Sequence, residues 1–99
     1  MQVELLYFDG CPSWQVADQR LLEALALAGR GEVPVHRRRV ETPEEADELG
    51  FIGSPSIRVD GRDPFAVGGE QVGLSCRMYP TAAGLRGSPE VEQLVEALS

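Results

Sequence analysis

Two cysteines carry the chemistry available to this 99-residue chain. Cys11 stands in the run Leu5-Leu6-Tyr7-Phe8-Asp9-Gly10-Cys11-Pro12-Ser13-Trp14, where an apolar strand gives way to a helix. Such a junction sets a thiol over the first helical turn, where the macrodipole and free backbone N–H groups favour a thiolate, the form that attacks disulfides and binds soft metals. Asp9 opposes that effect, because a nearby carboxylate disfavours a second negative charge. The position that would complete a Cys-x-x-Cys pair holds Trp14, so the second thiol must come from Cys76 or from outside.

Composition narrows the class. Apolar residues make up 42% and charged residues 25%, as in ordinary globular domains. Sixteen acidic residues face nine basic ones, all Arg, for a net charge of −7, which disfavours nucleic-acid binding. No run approaches the roughly 20 apolar residues of a membrane span. Met1-Gln2-Val3-Glu4 lacks a basic leader, so a cytoplasmic location is expected. Two cysteines make no disulfide scaffold and in a reducing compartment point to catalysis or metal binding.

The elements that position these residues form one α/β domain over residues 1–99. Val3 to Phe8 is a short apolar run expected as a central strand. A helix is expected from about Pro12 to Ala28, with Trp14, Ala17, Leu21, Ala24 or Leu25, and Ala28 along one stripe. Val33 to Val40 reads as a strand whose charged tail, His36-Arg37-Arg38-Arg39, suits a sheet edge. Thr42-Pro43-Glu44-Glu45 is a capping box opening a short helix to about Leu49. Ser56–Val59 and Pro64–Val67 flank Asp60-Gly61-Arg62-Asp63 as an expected hairpin. A helical turn is expected near Pro80 to Leu85, and Ser88 as the cap of a final helix from Pro89, with Val91, Leu94, Val95 and Leu98 inward. The order is β-α-β-α-β-β-α, a four-stranded mixed sheet with three helices.

That order, with Cys-Pro at the first helix start, resembles the thioredoxin-like superfamily in its minimal, glutaredoxin-sized form. Phe51-Ile52-Gly53-Ser54-Pro55-Ser56-Ile57 is similar to the family's cis-proline loop, which faces the active thiol. Gly68-Gly69 sits where glutaredoxins carry a glycine turn, although Glu70 follows in place of their usual acidic pair. Phe-Asp-Gly-Cys-Pro, Gly-Ser-Pro-Ser and Cys-Arg-Met-Tyr are similar to segments of small bacterial thioredoxin-like proteins, some of them labelled alkylmercury lyase-like.

The resemblance implies a thiol–disulfide oxidoreductase with Cys11 as the attacking sulfur and Cys76 or an external thiol as the resolving one. Its partner would be a small thiol or a protein disulfide. A cis Ser54–Pro55 bond would leave the Ser54 N–H and C=O free for an extended peptide, with Gly53 permitting close approach. Trp14 packs in the core or forms an apolar wall beside Cys11. Arg77 would stabilise a thiolate or an anionic ligand, or lie on the surface as a solvated charge. Cys76 is either a loop residue or lies opposite Cys11, where a disulfide needs Cα atoms about 5.5 Å apart. The alternatives are a soft-metal or organomercurial site built from Cys11, Cys76 and Asp9, and a binding module that has lost the chemistry. No phosphate loop or Ser-His-Asp arrangement is visible, and no cofactor is expected.

Overall fold

The computed structural model describes residues 1–99. Strand β1 (Val3–Tyr7) leads through α1 (Trp14–Leu27) to β2 (Val35–Arg39). The two strands pair in parallel, Val3 opposite Val35 and Tyr7 opposite Arg39. Helix α2 (Pro43–Leu49) precedes β3 (Ser56–Val59), which runs antiparallel on the other flank of β1, giving the order β2-β1-β3. Strands β4 (Tyr79–Thr81) and β5 (Gly84–Arg86) form a separate two-stranded sheet, and α3 (Val91–Leu98) closes the chain. No helix is long and apolar enough to cross a membrane.

The fold is mixed α/β with three helices, but the expected four-stranded sheet is absent. Asp60 (φ 52°) and Gly61 (φ 80°) turn the chain after β3, and Val59 and Arg62 exchange one pair of backbone bonds. Pairing then stops. Pro64 has no N–H to give a ladder, while Asp63 Oδ1 accepts from Phe65 N at 2.9 Å and bends the chain away. Pro64–Val67 is therefore a turn and loop, not a strand. The helical turn expected near Pro80–Leu85 is instead the β4–β5 hairpin, closed across Ala82-Ala83.

Helix boundaries also move. α1 begins at Trp14 with Ser13 as N-cap, so Pro12 lies in the preceding turn and not in the first helical position. α3 is capped by Glu90, whose side chain exchanges bonds with Gln93; the Ser88 hydroxyl bonds the Pro89 carbonyl. Of the capping box expected at Thr42 only one half forms: Thr42 Oγ1 accepts from Glu45 N at 3.1 Å, with no return bond from Thr42 N to the Glu45 side chain.

Burial explains the layering. Ala17, Leu21, Ala24 and Leu25 of α1 meet Val3, Leu5 and Ile57 of the sheet and Leu94 and Leu98 of α3 in one core. Leu6, Val40, Ala46 and Phe51 form a second cluster under α2. β2 is the charged, exposed edge: Arg37 pairs with Asp18 at 2.7 Å, and Arg39 with Asp9 at 3.1 Å and Glu41 at 2.9 Å. Leu21 and Leu22 are neighbours with opposite fates, one fully buried and one 46% exposed. Leu21→Ala should cost about 2–5 kcal/mol in chemical denaturation, whereas Leu22→Ala stays within about 0.5 kcal/mol.

A candidate dithiol site around Ser54

Cys11 is held through its backbone N–H and through its sulfur. Its N–H bonds the Phe8 carbonyl at 3.2 Å, which folds the chain back before α1. Its Sγ donates to the Ser54 carbonyl at 3.3 Å. The sulfur is consequently interior, with the residue only 1% exposed, contrary to the exposure that its loop-to-helix position suggests. Ser54 Oγ accepts from Phe8 N at 3.3 Å, fixing the loop to the end of β1. The Ser54–Pro55 peptide is cis.

The backbone of Ser54 is not free. Its N–H bonds the Ser75 carbonyl at 2.8 Å, and its carbonyl accepts from Arg77 N at 2.9 Å. The chain's own segment Ser75-Cys76-Arg77 thus lies parallel beside Ser54, where an external peptide was expected. Gly53 (φ 123°) makes this possible: a Cβ there would lie 3.0 Å from Arg77 Cβ and 3.3 Å from the Ser75 oxygen. The close approach it permits is to this segment.

Arg77 anchors the segment. Its guanidinium bonds Asp63 at 2.5 and 3.3 Å and Ser56 Oγ at 3.2 Å, and lies 4.6 Å over the Tyr79 ring. The side chains of Arg77 and Asp63 are only 8% and 10% exposed, so each charge depends on the other. The Tyr79 hydroxyl donates to the Pro55 carbonyl, and burial pushes its phenol far up from the usual range. Arg77 therefore fixes Cys76 in place and is spent on Asp63. It is neither a solvated charge nor a free partner for a thiolate.

This anchoring brings Cys76 against Cys11. Cys76 is exposed, yet its thiol is pushed up, by burial against the loop first and then by the neighbouring Cys11 thiol. Both sulfurs are reduced. Of the other expected site residues, Trp14 stacks on Tyr7 at 4.0 Å between centroids and packs against the main core. Asp9 turns to Arg39, and nowhere do three His, Cys, Asp or Glu side chains gather as metal ligands. The Cys11-Cys76-Asp9 triad is thus not assembled. Two adjacent sulfurs remain, able to form a disulfide or to hold a soft cation between them.

Sequence reasoning missed Asp63, Ser56 and Tyr79 as the residues that hold Cys76. Burial alternates only from Cys76 to Tyr79, with Cys76 and Met78 exposed and Arg77 and Tyr79 buried, and an inward-facing arginine is not announced by local sequence pattern. No cleft is lined by either sulfur; one of about 310 Å³ takes in their chain neighbours Gly10 and Leu74.

Two outcomes test the site. Removing the Cys11 sulfur deletes two of the three causes that raise the Cys76 thiol. In Cys11→Ala, the pH midpoint of Cys76 alkylation should fall and the rate at neutral pH should rise; an unchanged midpoint contradicts the contact. Asp63→Asn strands the Arg77 charge and should cost about 3–5 kcal/mol in denaturant titrations. No family model, curated protein or solved structure matches the chain.

Proposed function

We propose that the chain is a thiol–disulfide exchange protein on a thioredoxin-like domain, with Cys76 and Cys11 as its redox pair. The observation that carries this reading is the meeting of the two sulfurs around Ser54, which stands in for the missing Cys-x-x-Cys. The β2-β1-β3 order, with β1 and β2 parallel and β3 antiparallel, supports the thioredoxin-like assignment as far as three strands carry it.

Access assigns the roles. A substrate disulfide reaches the exposed sulfur, so Cys76 enters and the buried Cys11 resolves, the reverse of the order that the helix junction suggests. In the reductive direction the Cys76 thiolate attacks one substrate sulfur, and the other leaves with the electron pair and takes up a proton. Cys11 then attacks Cys76 Sγ, expels the second substrate thiol and closes the Cys11–Cys76 disulfide. Two electrons pass to the substrate, and an external thiol restores the pair.

Each single variant has a distinct expected outcome in a small-disulfide turnover assay with mass spectrometry of the protein. Cys76→Ser should lose turnover and carry no adduct. Cys11→Ser should also lose turnover but accumulate a mixed disulfide on Cys76. Full turnover in Cys76→Ser, or an adduct on Cys11 in that variant, contradicts the assignment.

A further inference from the structure

The parallel bridge fixes the direction of the Cys76 backbone. Ser54 is bonded by residues 75 and 77, so the N–H and C=O of Cys76 point to the opposite side. They have no partner, and neither do those of Met78, which face the same way by the strand's period of two, while Leu74 sits at the centre of a three-residue turn closed by Ser75 N onto the Gly73 carbonyl. The side chains of Leu74, Cys76 and Met78 are all exposed. One edge therefore combines unpaired backbone donors and acceptors, two apolar side chains and a thiol between them.

The molecule guards its other open edge differently. β2 exposes His36, Arg37, Arg38 and Arg39, charges that discourage another strand from adding. On the Cys76 edge the one charge available, Arg77, is turned inward to Asp63. Leaving an uncharged, apolar edge open is a liability unless something pairs with it. No cleft encloses the sulfurs, so the surface suits an extended chain better than an enclosed small molecule.

We propose that the edge from Cys76 to Met78, with the exposed Leu74 side chain beside it, docks an extended polypeptide substrate by strand addition, setting its disulfide sulfur against Cys76. This rests on the dithiol reading above and names its substrate class. Backbone pairing supplies affinity, and Leu74 and Met78 receive apolar residues on either side of the substrate cysteine. Charge decides the flanks. The chain carries a net charge of −7, and Arg37, Arg39 and Arg77 are already paired with carboxylates, so basic residues flanking the cysteine complement it.

The probe is a short synthetic peptide with a central cysteine as its thionitrobenzoate mixed disulfide, apolar neighbours and terminal arginines. Its counterpart is N-methylated at the amides that would face Cys76, which removes strand pairing and keeps every side chain. The unmethylated peptide should react with Cys76 about tenfold faster than the counterpart, the effect of one or two lost hydrogen bonds. Met78→Lys should remove most of that advantage. That advantage is read as the ratio of the two peptides' rates within each protein, so any effect of the added charge on Cys76 reactivity cancels.

Equal rates for the two peptides, with a small free disulfide still reacting, overturn docking and leave the dithiol reading standing. Failure of the small disulfide to react overturns the dithiol reading. Docking is then judged by NMR with the serine-substituted peptide: shifts confined to the Leu74, Cys76 and Met78 amides support it, and shifts elsewhere or none overturn it.

Discussion

Both sulfur-bearing segments are organised by a single peptide unit, that of Ser54. Its carbonyl accepts hydrogen bonds from Cys11 Sγ and from Arg77 N, and its N–H donates to the Ser75 carbonyl. Without Ser54 in this position, Cys11 would be an interior thiol at a helix start and Cys76 a loop residue. The interaction is only as firm as its supports. Gly53 has no side chain to obstruct the approach, and the buried Arg77–Asp63 pair pins the incoming segment from the other side. A buried ion pair of this kind adds little net stability, but breaking one side of it is expensive. Its effect here is positional.

The same pair accounts for the missing fourth strand. Asp63 has to face Arg77, and its second carboxylate bond turns the chain at Phe65. Together with Pro64, this stops the hairpin after one bridge, and the Ser75–Arg77 segment pairs instead with Ser54, just ahead of β3. What would have been sheet in a plain four-stranded domain becomes the frame of the sulfur pair.

Local patterns made much of this legible in the sequence. The apolar stripe of α1, the charged edge of β2 and the Thr42 cap rest on spacing within one element, and each forms. The fourth strand failed because Asp63 answers to a residue fourteen positions away, which no local pattern reports. Cys11 was legible as a special position, but its burial was not, since that depends on Ser54 arriving from a distant loop. Cys76 was not legible as an extended segment: it lies among the glycine-rich corners after Gly68, and its backbone is drawn out by bonds to Ser54 from a distant loop. The proposed exchange of roles between the two cysteines rests on packing alone.

The central claim is that Cys11 and Cys76 act as one redox pair. It is tested most directly by equilibrating the native chain in buffers of graded thiol–disulfide ratio and mapping the oxidised product by peptide mass spectrometry. The account predicts that both thiols disappear together in a monomeric chain, with a single Cys11–Cys76 bond and little lasting adduct. Oxidation that stops at a mixed disulfide on Cys76, with Cys11 still reduced, would contradict it.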